Sequence, residues 1–122
     1  MKPNGCKVLL VDDDGANREL LAALLTEQGY TTLSAGHGGE AVSQLEAGLD
    51  PDLILTDLMM PVMSGWELCE MLKKHPRWRS IPVVVMCGLN EQHRGQLRVE
   101  GAFDKPVDAS LLLPKIATLC GV

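Results

Sequence analysis

Three aspartates and one lysine stand where apolar runs end. Asp12 and Asp13 follow "KVLLV", Asp57 follows "LILT", and Lys105 precedes Pro106. An apolar strand that closes on a carboxylate needs a reason, because a buried charge without a partner is costly. If the first and third apolar runs lie side by side, Asp12, Asp13 and Asp57 converge. Crowded carboxylates repel one another, and a divalent cation relieves that repulsion. Oxygen ligands with no His or Cys nearby favour Mg²⁺, which also bridges to phosphate. Lys105 adds a second positive charge. Carboxylates, Mg²⁺ and a lysine suit phosphoryl transfer, where positioning and charge neutralisation do most of the work. The carboxylate least engaged by metal can be the nucleophile. Any one of these acids could be a loop or cap residue, and Asp14 reads as the N-cap of the helix that follows. Surface acids do not explain a whole set placed at three strand ends.

The elements that must position this set are legible as alternating patterns. Strand-length apolar runs cover residues 6–11, 52–56 and 81–86, with a weak strand at 31–35 and a short fifth around 102–104. Between them, 16–29 carries Leu20, Leu21, Leu24 and Leu25 on one helical stripe and closes on a glycine. Residues 38–48 turn Ala41, Val42 and Leu45 inward, 65–74 is a third helix, and 90–100 is a polar fourth segment interrupted by Gly95. The last helix, 108–120, keeps Ala109, Leu112, Leu113, Ile116, Ala117 and Cys120 at helical spacing, and Pro114 costs it a bond or a kink. Five strands alternating with helices imply an α/β sandwich around a mostly parallel sheet. In such folds ligands bind beyond the carboxyl ends of the strands, where Asp12, Asp13, Asp57, Cys87 and Lys105 fall.

Composition narrows the function. The chain has 122 residues, 46% of them apolar, enough for one packed domain. Eleven Lys and Arg against 16 Asp and Glu leave a net charge of −5, which argues against direct nucleic-acid binding. The basic stretch "KKHPRWRS" reads as a helix C-terminus in solvent. No apolar run is long enough to cross a membrane. Cys6, Cys69, Cys87 and Cys120 show neither C-x-x-C nor zinc-like spacing, so they read as reduced, three of them as small hydrophobes in apolar elements, in a cytoplasmic protein. His37, His75 and His93 are scattered and read as surface residues.

The stretches "VLLVDDD", "DLILTDLMMPVMSGWEL", "IPVVVM" and "DKPVD" resemble the receiver domain of two-component response regulators, in the manner of the chemotaxis regulators. The resemblance covers the whole chain as a single receiver domain, 1–122, with no output domain. It implies a flavodoxin-like (βα)5 sandwich with a parallel sheet of order 2-1-3-4-5. It also implies a phosphoacceptor that assists its own phosphorylation and dephosphorylation, not an enzyme with a separate substrate. Asp57 would take a phosphoryl group from the phosphohistidine of a sensor histidine kinase or a histidine phosphotransfer protein. Asp13, Asp57 and the Met59 backbone carbonyl would hold Mg²⁺, Asp12 would act largely through water, and Lys105 would contact the phosphoryl group. The exposed parts of the first helix, near Ala16, Asn17 and Leu20, would receive the partner.

This chain departs from the family pattern at three places. Cys87 stands where the family has a switch Thr or Ser, and a thiol is a weak donor. The stretch from Cys87 to Lys105 is short by about one helical turn of roughly 3.6 residues. Ala102 occupies the slot of the aromatic switch residue, and Phe103 should face the other way, since strand side chains alternate. These features keep open a non-phosphorylated interaction module of the same fold. "VLLVDDDGAN" also allows a haloacid-dehalogenase-like phosphatase with Asp12 as nucleophile and Asp14 as acid/base. A flavin carrier would need a hydroxyl-rich loop after the first strand, where this chain is acidic, and "GHGGEA" is explained by a turn.

Overall fold

A computed structural model describes residues 6–58, 63–87, 99–104 and 107–121, with the side chain of Cys87 excepted. Five strands form one parallel sheet: β1 (Lys7–Val11), β2 (Thr31–Ala35), β3 (Leu53–Asp57), β4 (Val83–Cys87) and β5 (Gly101–Asp104). Their order is β2-β1-β3-β4-β5, the arrangement that the resemblance implies. Four helices are described: α1 (Gly15–Glu27), α2 (Gly38–Glu46), α3 (Gly65–Lys74) and α4 (Ala109–Leu119). The polar stretch expected as a further helix lies outside the described residues, apart from Val99 and Glu100.

The sheet is central because its three inner strands, β1, β3 and β4, are apolar on both faces, as parallel strands covered by helices must be. Alternation along β1 sorts its side chains. Leu9 and Val11 join Ile54, Val83 and Val85 in a core under Leu45 of α2 and Leu68 and Leu72 of α3. Val8 and Leu10 join Leu53, Leu55, Val84 and Met86 in a second core, under Leu21 and Leu25 of α1 and Leu112 and Ile116 of α4.

The α1 stripe is narrower than its leucines imply. Leu21 and Leu25 are buried, Leu24 is half-buried, and Leu20 is 67% exposed. Leu20 lies on the ridge that turns away from the sheet, because only the i, i+4 pair facing it is covered. The basic stretch is a helix end, as expected. Lys73 and Lys74 occupy the last turn of α3, His75 is its C-cap and stacks on buried Trp78, and Arg77 and Arg79 are exposed. Pro114 sits inside α4 without ending it. Among the described residues no helix is long and apolar enough to cross a membrane.

The cysteine reading needs a correction. Cys6 and Cys120 form a disulfide across 114 residues of chain, and both are buried; Cys69 is buried and takes no part in that bridge. Their spacing carries no local signature. They meet because Cys6 enters β1 at the same end of the sheet at which α4 leaves for the C-terminus. A cross-link closing so long a loop restricts the unfolded chain by about 5 kcal/mol. Protein oxidised in vitro is therefore expected to be lighter than the reduced chain by two hydrogens and to melt well above it. Cys6→Ala/Cys120→Ala should melt at one temperature with or without reductant. Equal melting of oxidised and reduced wild type would contradict the bridge.

Candidate functional site

The site lies at the carboxyl ends of β1 and β3. Asp12 follows the last residue of β1 and is held in place by its own N–H, which donates to the Ala35 carbonyl (3.1 Å). Asp57 closes β3 and pairs in register with Met86 of β4. The Leu58 N–H continues that ladder to the Met86 carbonyl (3.1 Å), and Thr56 Oγ1 donates to the Asp57 carbonyl (3.0 Å). Asp12 and Asp57 are buried, at 1% and 4% exposure, while Asp13 is exposed. One carboxylate oxygen from each of Asp12, Asp13 and Asp57 lies within 4.8 Å of the others. Neighbouring strands thus bring together the three acids whose convergence the sequence predicts. This is a hard-oxygen donor set, open to solvent on the Asp13 side and of a size to share one small divalent ion.

Asp14 is apart from this cluster in role. Its side chain accepts from the N–H groups of Ala16 (3.0 Å) and Asn17 (3.3 Å), capping α1. Two contacts to Asp12 were not legible in the sequence. Asn17 Nδ2 donates to Asp12 Oδ2 at 2.6 Å, and Arg18 Nη1 donates to the Asp12 carbonyl at 2.5 Å. Met59 and Lys105 lie outside the described residues, and Lys105 follows Asp104 in the chain. The backbone register puts Cys87 opposite Asp104, one position beyond the Met86 that pairs with Asp57. Ala102 is exposed, whereas Phe103 packs on the α1/α4 core, so the two do face opposite sides of β5.

The floor of the site depends on Gly65. Its N–H donates to the Leu58 carbonyl (3.0 Å), and a Cβ there would overlap the Asp57 carbonyl oxygen and lie 2.7 Å from Leu58 Cα. Backbone cannot yield as a flexible side chain does, so α3 starts this close to β3 only because residue 65 has no side chain. Ser64 and Glu67 then fix that start with a reciprocal capping box. Gly65→Ala is expected to lose about 1–3 kcal/mol of stability through overpacking. Urea unfolding measures it, and an unchanged midpoint would show that the close approach is not rigid. Across the same end, His37 Nδ1 accepts from Glu40 N–H and caps α2. His37 and His75 therefore have structural tasks; His93 lies outside the described residues.

An acidic cluster with two buried members and one exposed, at the carboxyl ends of the central strands of a sheet of order 2-1-3-4-5, defines an α/β module able to receive a phosphoryl group. The family model of the response regulator receiver domain matches residues 8–117, and the chain belongs to that family, the phosphoacceptor signalling domain of two-component systems. Receiver domains as a class interact with histidine kinases or phosphotransfer proteins. The chain is 39% identical over 117 residues to the response regulator PleD of Caulobacter vibrioides, covering 93% of this chain and 26% of PleD. It is 33% identical to the protein PilH of Pseudomonas aeruginosa, covering 94% of this chain and 98% of PilH. It thus spans about a quarter of the length of one relative and nearly all of the other. The receiver domain of a signal transduction histidine kinase from Syntrophus aciditrophicus superposes with a TM-score of 0.90 at 32% identity, over 95% of this chain and 90% of that one. The receiver domain of a sensor histidine kinase from Pseudomonas aeruginosa PAO1, solved with a magnesium ion coordinated in its active-site cleft, shares the fold (TM-score 0.87, 24% identity, 97% and 99% coverage).

Proposed function

We propose that Asp57 takes a phosphoryl group from the phosphohistidine of a sensor histidine kinase or a histidine phosphotransfer protein, in a Mg²⁺-dependent reaction. The observation that carries this reading is the convergence of Asp12, Asp13 and Asp57 within 4.8 Å at the ends of adjacent strands. Asp57 is the acceptor because it is the buried acid on the central strand, held by a continuous backbone ladder. One of its carboxylate oxygens forms the new P–O bond, the P–N bond to the donor imidazole breaks, and the electron pair returns to that nitrogen. Asp13 and Asp57, with the Met59 carbonyl carried over from the family motif, would hold the metal, and Asp12 would act largely through water. When bound, Mg²⁺ neutralises the charge on the transferring phosphoryl oxygens. The donor set fits it: three carboxylates with no nitrogen or sulfur ligand among them. Lys105, carried over from the family motif, would contact the phosphoryl group. Cys87 occupies the switch position, so the response that follows is weaker than a hydroxyl would support.

The domain assists its own phosphorylation and dephosphorylation and acts on no separate substrate. It works in the cytoplasm, signals by binding an output partner, and makes no direct contact with nucleic acid or membrane. Disulfides are uncommon in that compartment, and thiol counting on protein quenched directly from cells decides whether Cys6–Cys120 forms there. The test of the reading is incubation with acetyl phosphate. Intact mass should rise by one phosphoryl group in Mg²⁺ and not in chelator. Uptake of equal extent in chelator, or none in Mg²⁺, contradicts it.

A further inference from the structure

Asp12 is gripped by the first turns of α1 in a way that the acid cluster alone does not require. Its Oδ1 accepts the Asp14 N–H at 2.9 Å, its Oδ2 accepts Asn17 Nδ2 at 2.6 Å, and its carbonyl accepts Arg18 Nη1. Because a carboxylate can only accept, the amide of Asn17 must present its nitrogen here. Asn17 is itself fixed, since its N–H donates to the Asp14 side chain that caps the helix. The cap therefore sets the helix, the helix sets Asn17, and Asn17 sets the rotation of a buried carboxylate facing Asp13 and Asp57.

We propose that Asn17 is a positioning residue that sets the affinity of the Asp12–Asp13–Asp57 cluster for Mg²⁺. This rests on the functional reading above. The residue type matters. A lysine at this distance would compete with the cation for Asp12, and an acid would repel Asp12. A neutral amide orients the carboxylate and leaves its charge for the metal. Groups that orient metal ligands in this way commonly change affinity by about 10–100-fold when removed. Arg18 holds the main chain of Asp12 and so fixes its position, whereas Asn17 fixes its orientation.

The experiment is a Mg²⁺ dose series on the whole chain without phosphodonor, read by calorimetric binding and by melting temperature. Asn17→Leu removes the donor at nearly constant volume, and Asn17→Ala removes it with a better helix former. Both should raise the half-saturating Mg²⁺ concentration about tenfold while the metal-free melting temperature stays near that of wild type. Asn17→Gln, which keeps an amide on a longer arm, should recover part of the affinity. A purely structural Asn17 would lower the metal-free melting temperature and leave half-saturation where it was, and that result overturns the proposal alone. Absence of any Mg²⁺ response in wild type overturns both the proposal and the functional reading beneath it.

Discussion

Asp57→Asn protein incubated with acetyl phosphate and Mg²⁺ should show no phosphoryl uptake above background, measured by intact mass. The amide is nearly the same size as the carboxylate, so Asp57→Asn keeps the packing of a position that is only 4% exposed. It removes the nucleophilic oxygen and one negative charge from a cluster whose members lie within 4.8 Å. Fewer like charges at such separation favour the folded state. The variant should therefore melt no lower than wild type in the absence of metal, which separates loss of chemistry from loss of fold. Uptake by Asp57→Asn at the wild-type level would move the acceptor elsewhere.

The second large effect is the response of stability to metal. A ligand that binds only the native state stabilises it by about 1.4 kcal/mol at tenfold excess over its dissociation constant. For a domain near this size that is a rise of several degrees in melting temperature, given roughly 4–8 °C per kcal/mol for 60–100 residues. Wild type should show the rise in millimolar Mg²⁺. Asp13→Ala should lose it, because Asp13 is the solvent-facing member of the set and its removal opens the cluster on that side. The same variant relieves repulsion, so its metal-free form should melt at or above wild type. A Mg²⁺ rise of equal size in Asp13→Ala would place the ion outside this cluster.

How much of this was legible in the sequence follows from the range of each interaction. "LILT" and "KVLLV" carry their burial in their composition, because parallel strands covered on both faces need apolar residues throughout. Once those strands are neighbours, residues at their ends must meet, and so Asp12, Asp13 and Asp57 converge as read. Strand boundaries moved by only a residue or two, as at β4, expected from Ile81 and beginning at Val83. The helical stripe included Leu20 because the apolar pattern says which residues can be buried, not how wide a face the neighbouring sheet covers; the family resemblance put Leu20 on the exposed part of the helix, where it lies. Cys6–Cys120 was misread because its 114-residue separation leaves no spacing signal; only the finished topology brings β1 and α4 together. The grip of Asn17 on Asp12 depends on a side-chain rotamer at the start of α1, which no periodicity encodes. The close approach at Gly65 had a trace in the sequence, a glycine just after a strand and loop, but the atom it must avoid is the carbonyl oxygen of Asp57.

The central claim is that the phosphoryl group sits on Asp57, and chemical mapping tests it most directly. Protein phosphorylated by acetyl phosphate in Mg²⁺ is reduced with borohydride, which converts an acyl phosphate to the alcohol and marks the residue permanently, and the digest is read by tandem mass spectrometry. The account predicts the mark on Asp57. A mark on Asp12, as a phosphatase of the haloacid-dehalogenase kind would carry, or on any other residue with Asp57 unmodified, would contradict it.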